Sequence, residues 1–412
     1  MMETLETGDI LECDYAGMTL RGTFITVRDG KTVVKLDSGY NIGIGREHCR
    51  RIDRPVPVER TARPAQQDTS LPVLSIISTG GTIASRIDYR TGAVTSQFDA
   101  DDILRAIPGL SGIAQYRTRQ LYTILSENMT PAIWQELATA IYEEIEHGAT
   151  GIIVTHGTDT MAFSAAAVSF MLDTPVPVVF VGSQRSADRP SSDNTMNALC
   201  SAAAAVSGLG EVTVVMHDST SDDRCAIHRA TRVRKMHTSR RDAFQSIGSN
   251  PLGYVEYPSL EVRLSSDAKT RTACKPLLRP GLDANCRLIY FYPGMTPRML
   301  PEPGEVNGLV LAGTGLGHVS TEWIPVLKRL IDGGTEVMMT SQCLHGRVCD
   351  RVYDTGRDLI DIGVVQGEDT LPEAALVKMM WVLGNVKDRE ARRRLLSSDL
   401  KGEYNGRSIH GL

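Results

Sequence analysis

The chain has 412 residues, 42% of them hydrophobic, and a formal net charge of −5 at pH 7. This length allows two or three domains with buried cores. The acidic balance excludes a general basic field for nucleic acid, so any RNA contact would be local or would belong to a partner. The sequence shows no secretory signal and no apolar run long enough to span a bilayer. Its eight cysteines include no CxxC pair. We therefore expect a cytoplasmic protein with reduced thiols, no membrane contact and no metal site.

Two segments precede the main body of the chain. Residues 1–55 contain several short β-branched runs that are separated by tight turns, such as the turn at Asp29-Gly30. This spacing predicts a small N-terminal β-barrel domain. Residues 56–70 are rich in proline and polar residues, which is typical of a linker.

From residue 71 onward, apolar strands alternate with helical stretches. Strand-like runs lie at 71–77, 151–154, 178–181, 212–216, 308–312 and 336–340, and helical ones at 131–148, 194–206 and 322–330. This alternation predicts an α/β fold with a parallel sheet that is covered on both faces. We expect an N-terminal lobe at 71–265, a hinge at 266–303, a smaller α/β C-terminal lobe at 304–385 and a polar tail at 386–412.

Clustered hydroxyl groups follow two of the predicted strands. Residues 78–85 read STGGTIAS, and residues 155–160 read THGTDT. Ligands of open α/β sheets bind at the carboxyl ends of the strands, where glycines allow close approach of the backbone. Each segment alone would be explained by a strand-to-helix turn with an ordinary cap. Both together favour a binding site for a carboxylate or a developing oxyanion.

The strings TGGTIA and HGTDT resemble the two signatures of the type I L-asparaginase family, and the resemblance covers about residues 71–385. It implies a two-lobed asparaginase-like fold that hydrolyses the side-chain amide of asparagine or glutamine. By it, Thr79 is the nucleophile, and Thr158, Asp159 and Lys235 form a second hydroxyl–carboxylate–amine group. A threonine hydroxyl needs such a neighbouring base or polarising group in order to attack. Lys235 could also belong to a solvated basic run, and spacing does not decide which threonine carries the acyl group.

The same resemblance implies substrate-binding residues. Ser126 and Glu127 match the loop that holds the α-carboxylate and α-amine of the substrate, although a helix cap would also explain Ser126. Tyr89 matches a lid tyrosine, and a plain surface tyrosine is the alternative. Gly157 and Ser183 would line the pocket at two strand ends.

The N-terminal extension, with the phrases VKLDSGYNIGI and RKMHTSRRDAFQSI, resembles the D-subunit family of archaeal glutamyl-tRNA(Gln) amidotransferases. In that family the asparaginase-like body releases ammonia from glutamine or asparagine. A separate E subunit uses this ammonia, with ATP and Mg²⁺, to convert Glu-tRNA(Gln) to Gln-tRNA(Gln). The resemblance implies that this chain carries no cofactor and that ATP and tRNA are bound mainly by the partner.

Two other functions stay open from the sequence alone: a free-standing cytoplasmic L-asparaginase and a non-catalytic sensor on the same fold. The asparaginase family also implies a homodimer in which the neighbouring subunit's smaller lobe completes each pocket. Leu316 and His318 lie where relatives often show asparagine, so the preference between asparagine and glutamine is not settled. The sequence leaves open the role of the barrel and the route of the ammonia.

Overall fold

The computed structural model describes residues 4–28, 30–36, 41–54, 67–80, 107–185, 191–349 and 351–407, together with the backbone of 86–87 and 94–95. The N-terminal part forms a five-stranded antiparallel sheet in the order β4-β3-β2-β1-β5. Its strands are β1 Ile10–Tyr15, β2 Met18–Arg28, β3 Lys31–Leu36, β4 Asn41–Gly45 and β5 Cys49–Asp53. Leu11, Phe24 and Val34 meet in a small core of their own.

The predicted closure of this unit into a barrel is wrong for the residues that the structure describes. Closure requires ladder hydrogen bonds between the two edge strands. β4 pairs with β3 and β5 pairs with β1, and no pairing joins β4 to β5 in the described ranges. The chain passes from one edge strand to the other through the 3₁₀ helix Arg46–His48, which turns the chain between them. In the described residues, the unit is an antiparallel sheet whose edge strands β4 and β5 each pair on one side.

The main body is built on an eight-stranded sheet in the order β18-β17-β14-β13-β12-β10-β6-β9. In chain order the strands from β6 to β18 are β6 Val73–Ser78, β7 Arg86–Ile87, β8 Val94–Thr95, β9 Gln115–Gln120, β10 Gly151–Thr155, β11 Leu172–Asp173, β12 Val178–Val181, β13 Val212–His217, β14 Arg224–Arg229, β15 Val233–Lys235, β16 Phe244–Ser246, β17 Gly253–Glu256 and β18 Val262–Leu264. β6, β10, β12 and β13 run parallel, as predicted. β9, which the sequence did not indicate as a strand, also runs parallel to β6.

Part of the large sheet departs from the predicted parallel arrangement. β14 pairs antiparallel with β13, and β17 and β18 continue in antiparallel fashion. The connection between β13 and β14 covers only residues 218–223, which is too short for the crossover that a parallel pair needs. The sheet is therefore mixed, with its parallel part carrying the two signature turns.

Three helices cover the parallel part, namely α1 Pro131–Glu146, α2 Met161–Met171 and α3 Asn194–Val206. The predicted start of α1 is confirmed: the Thr130 hydroxyl accepts a hydrogen bond from the Ile133 amide, and Pro131 occupies the first turn. Leu137 and Ile141 of α1 are fully buried against the sheet. No helix in the described ranges is long and apolar enough to cross a membrane.

The second lobe has a four-stranded parallel sheet in the order β20-β21-β22-β23. Its elements, with the short strand that precedes them, are β19 Leu277–Leu278, β20 Cys286–Tyr290, β21 Gly308–Gly313, α4 Ile324–Asp332, β22 Glu336–Ser341, α5 Asp354–Asp361, β23 Val365–Gln366 and α6 Pro372–Asn385. The sheet thus begins at β20, inside the segment 266–303 in which the sequence indicated a hinge. Leu309, Trp323 and Leu327 belong to a separate core in this lobe.

The C-terminal segment is packed into the body instead of extending from it. It begins with α7 Arg389–Leu396. The Glu403 carboxylate lies 2.6 Å from the Lys378 amine of α6, and both side chains are fully buried. Glu403 also accepts the backbone N–H groups of Leu400 and Lys401. Burial lowers the pKa of Lys378, and the charge of Glu403 only partly offsets this effect. The polar tail indicated at 386–412 is therefore a helix followed by a packed segment, up to the last described residue, Arg407.

Removal of the buried Glu403 carboxylate should destabilise the fold. We expect Glu403→Ala to lower the free energy of unfolding by about 3–5 kcal/mol, because Lys378 would keep a buried charge without its counter-ion. The control is Lys328→Ala, whose ion pair with Asp332 is exposed on α4 and should contribute less than about 1 kcal/mol. Urea denaturation of both variants measures the difference. Equal losses in the two variants would contradict the structural role of Glu403.

Candidate active site

The two signature turns leave the large sheet side by side. β6 and β10 are parallel neighbours whose register places Ser78 opposite Thr155. The Thr79 amide donates to the Thr155 carbonyl across 3.1 Å, and the His156 amide donates to Val181 of β12. Because all three strands end at the same edge, the residues that follow them are gathered at one place.

Thr79 is almost fully buried at this edge. The residue is 2% exposed, and its hydroxyl donates to the Thr155 carbonyl at 3.1 Å. The next residue, Gly80, has a φ of +118°, and a Cβ there would lie 2.4 Å from the carbonyl oxygen of Ile124. Only glycine fits such a contact. The turn is thereby held against the loop that precedes α1.

Lys235 contacts two polar residues of the second signature, Thr158 and Asp159. Its amine donates to the Thr158 hydroxyl at 2.8 Å and to the Asp159 carboxylate at 2.7 Å. The lysine side chain is 14% exposed, whereas Asp159 is 70% exposed. The structure thus brings together Thr158, Asp159 and Lys235, three of the four residues for which the sequence indicates a catalytic role. Thr158 and Lys235 are 77 residues apart in the chain. A hydroxyl beside an amine that is itself held by a carboxylate is an arrangement suited to proton transfer and nucleophilic attack.

A cavity of about 280 Å³ opens over this group. Its size suits a small ligand such as a free amino acid. Among the residues that the structure describes, its walls do not include Thr79, whose hydroxyl faces the Thr155 carbonyl. The wall residues are Ile124, Leu125, Ser126, Glu127, Gly157, Thr158, Asp159, Ser183, Gln184, Lys235 and Thr238.

A larger cavity of about 500 Å³ lies elsewhere, next to the end of α3. Residues such as Ile113, Val206 and Leu260 line it, and none of its wall residues in the described ranges carries a titratable side chain. The smaller cavity is therefore the better candidate for an active site, because it combines a small volume with converging charged and hydroxyl groups.

The loop with Ser126 and Glu127 forms one wall of the site. It is the 3₁₀ helix Ser126–Asn128. The Thr160 hydroxyl donates to the Ser126 carbonyl at 2.6 Å, which fixes the loop to the second signature. A Cβ on Gly157 would lie 2.8 Å from the Cβ of Ser126, so glycine is needed for this close approach. Ser126 is buried and Glu127 is exposed, so the Glu127 carboxylate is accessible to a ligand from the solvent side.

Ser183 is held by a buried aspartate that sequence reasoning missed. The Asp193 carboxylate is fully buried and accepts the Ser183 hydroxyl together with the backbone amides of Gln184 and Arg185. Asn197 donates to the same carboxylate. From the sequence, an aspartate directly before a helix indicates an N-cap, but its side chain makes no cap bond here. Asp193 instead sets the shape of the turn that lines the cavity.

His156 is neutral in this site. Burial lowers its pKa to about 4, and its Nδ1–H donates to the Gly157 carbonyl at 2.7 Å. A neutral ring adds no cation next to Thr158. The basic side chain in contact with Thr158 is therefore that of Lys235.

Tyr89 and residues 81–85 of the first signature lie outside the described residues. The structure therefore gives no position for the side chain that the sequence indicated as a lid. Of the predicted substrate-binding residues, Ser126, Glu127, Gly157 and Ser183 all line the cavity.

A side chain added at Gly157 should disturb substrate binding. We expect Gly157→Ala to raise the KM for the substrate by about tenfold or more, because the new methyl group would displace Ser126. Gly208→Ala is the matched control, since a Cβ there meets no atom within 4 Å. Steady-state kinetics on both variants measures the effect. An unchanged KM in Gly157→Ala would mean that the Ser126 loop does not hold the substrate.

Three family models match successive parts of the chain. The GatD N-terminal domain matches residues 5–53, the N-terminal asparaginase domain matches residues 73–268, and the glutaminase/asparaginase C-terminal domain matches residues 285–396. In the solved structures, the thermostable L-asparaginase from Thermococcus kodakarensis is similar with a TM-score of 0.72 and 32% identity, over 81% of this chain and 99% of that chain.

Curated relatives match nearly the whole length. The chain is 52% identical over 421 residues to the D subunit of the glutamyl-tRNA(Gln) amidotransferase from Methanosarcina mazei, a match that covers 97% of this chain and 98% of the relative. It is 50% identical over 400 residues to the corresponding D subunit from Archaeoglobus fulgidus, over 97% and 95% of the two chains. The chain therefore belongs to the family of glutamyl-tRNA(Gln) amidotransferase D subunits, which are amidohydrolases built on the asparaginase fold.

Proposed function

We propose that this chain releases ammonia from glutamine, or from asparagine, for the ATP-dependent conversion of Glu-tRNA(Gln) to Gln-tRNA(Gln) by an E subunit. The observation that carries this proposal is the contact of the Lys235 amine with Thr158 and Asp159 at 2.8 and 2.7 Å, at the edge of a small cavity. It is supported by the relatives from Methanosarcina mazei and Archaeoglobus fulgidus, which carry the name of the D chain of this amidotransferase.

In the proposed reaction, the Thr79 hydroxyl attacks the side-chain amide carbon of the substrate. This hydroxyl must first leave the Thr155 carbonyl, which a rotation about one side-chain bond allows. In its neutral form, the Lys235 amine takes the hydroxyl proton through Thr158, and Asp159 orients the amine. Ammonia then leaves with that proton, and water hydrolyses the acyl-threonine to glutamate or aspartate and free Thr79.

The remaining wall residues hold the substrate in this proposal. The exposed Glu127 carboxylate binds the α-ammonium group, while the Ser126 hydroxyl and the backbone groups of Gly157 and Ser183 bind the carboxylate. Tyr89 would close the site as a lid. No cofactor is assigned to this chain, and ATP with Mg²⁺ is assigned to the partner.

We also propose that the active form is a cytoplasmic homodimer. Leu316 and His318 follow β21 at the carboxyl end of the second sheet and do not line the cavity of their own chain, as the structure describes it. In a dimer they could face the site of the neighbouring copy. Sedimentation equilibrium tests the dimer.

A free-standing L-asparaginase is the second candidate, because the Thermococcus kodakarensis L-asparaginase matches this chain over 99% of its own length. The N-terminal sheet favours the amidotransferase role, since residues 5–53 match the GatD N-terminal domain.

The two candidates differ in their response to the complex. We expect glutamine hydrolysis by the purified chain to rise about tenfold or more when the E subunit, Glu-tRNA(Gln) and ATP are added together, and Gln-tRNA(Gln) to form. Thr79→Ala should abolish both products. Thr139→Ala on α1 is the matched control. Full glutaminase or asparaginase activity of the chain alone, indifferent to every addition, would favour the free-standing enzyme.

The nucleophile can be identified by trapping. A diazoketone analogue of glutamine alkylates the attacking hydroxyl, and peptide mass spectrometry locates the label. We expect the label on Thr79 in the wild type and in Thr158→Ala, with slower labelling in the variant, and none in Thr79→Ala. A label on Thr158 would exchange the roles of the two threonines.

A further inference from the structure

The lysine of the site stands on a small hairpin outside the large sheet. Within the part of the chain that the structure describes, β15 pairs only with β16, with Lys235 opposite Phe244. A two-stranded hairpin of this size has little stability by itself. Lys235 makes its site contacts through a long flexible side chain, and its partner Asp159 is largely exposed. The position of the amine therefore depends on what holds the hairpin.

Two arginines precede Lys235 at alternate positions, Arg232 and Arg234. Side chains alternate between the two faces of a strand, so Arg234 points away from the face of β15 that presents Lys235. Arg232 lies in the turn directly before β15. The sequence alone left them as neighbours that could form a solvated basic run with the lysine. In the structure both reach carboxylates of the second lobe.

Arg232 makes the more buried of the two contacts. One guanidinium nitrogen donates to the Asp369 carboxylate and another to the Asp369 backbone carbonyl, each at 2.9 Å. The side chains are 1% and 4% exposed. Asp369 also accepts the backbone amide of Asn405, whose side chain donates to the carbonyl of Gly248, just beyond β16. Both ends of the hairpin are thus tied to the second lobe and to the C-terminal segment.

Arg234 makes the second contact. Its Nε lies 3.1 Å from the Glu373 carboxylate in the first turn of α6, with side-chain exposures of 28% and 13%. Ile247, after β16, packs with Leu371 and Ala374 of the same turn of α6. The start of α6 therefore meets the hairpin through one buried ion pair, one partly buried ion pair and an apolar contact.

We propose that Arg232 and Arg234 are positioning residues through which the second lobe holds Lys235 against Thr158. The inference rests on the proposed function, in which the Lys235 amine is the base. The reacting groups belong to the first lobe, whereas the anchors of the lysine strand belong to Asp369 and Glu373 of the second. A displacement of the start of α6 relative to the large sheet would move the amine away from the hydroxyl, and such misplacement lowers the rate of the chemical step.

Arg234 is the better residue to test. Removing Arg232 would leave Asp369 buried without its charge partner and would destabilise the fold as a whole. Arg234 is partly solvated, so its loss disturbs the fold less. We would compare Arg234→Met, Arg234→Lys and Arg389→Gln in the complex used for glutamine hydrolysis. Arg389→Gln is the matched control, because it removes an ion pair with the buried Glu336 inside the second lobe.

We expect Arg234→Met to lower kcat about tenfold and to change KM less than about twofold, because the substrate-binding residues stand in the first lobe. Arg234→Lys should restore most of kcat, and Arg389→Gln should keep it. Thermal unfolding should show similar midpoints for Arg234→Met and Arg389→Gln.

Two results would overturn the positioning role while leaving the proposed function intact: wild-type kcat in Arg234→Met, or an equal loss of kcat in Arg389→Gln. Lys235→Ala separates the proposed function from the positioning role of Arg234. If this variant is inactive, the role of Lys235 stands, and the kcat values of Arg234→Met and Arg389→Gln decide whether Arg234 positions it. If it hydrolyses glutamine at the wild-type rate, the assigned role of Lys235 fails, and the positioning role fails with it.

Discussion

The parallel pairing of β6 with β10 is the constraint on which the site depends. Its register places Ser78 opposite Thr155, so the first and second signature turns begin at the same height on the same sheet edge. A shift of β6 by one residue against β10 would turn the side chains of β6 to the opposite face and separate Thr79 from the Thr155 carbonyl that it contacts. All other site residues are brought to this edge by elements that pack around it.

Few ionisable side chains line the described cavity wall at this edge of the sheet. The imidazole of His156 is kept neutral by burial, which lowers its pKa to about 4. The buried Asp193 is surrounded by hydroxyl and amide donors, which stabilise its charge and fix the turn at Ser183. Lys235, Asp159 and Glu127 remain as the charged groups on the described cavity wall. In the proposed function, proton transfer and recognition of a zwitterionic substrate fall to separate side chains.

Buried ion pairs join the parts of the body. Glu403 with Lys378 fixes the C-terminal segment on α6, and Asp369 with Arg232 fixes the hairpin beside the same helix. Such pairs add little net stability compared with apolar residues of the same size, because both charges lose their hydration. These ion pairs disfavour any packing of the chain that leaves one of the buried charges without its partner. Helix α6 is thus the element through which both the tail and the lysine hairpin are placed.

The sequence by itself determined the alternation of strands and helices, the N-cap at Thr130 and the two signature turns, because these follow from local periodicity and turn chemistry. It also predicted Lys235 by resemblance, although its spacing from Thr158 carries no such information. Only the tertiary structure decided that β14, β17 and β18 run antiparallel and that the N-terminal sheet stays open in its described part. The roles of Asp193, Arg232 and Glu403 could not be predicted either. Each role depends on burial or on partners that are distant in sequence, and a local sequence pattern shows neither of these.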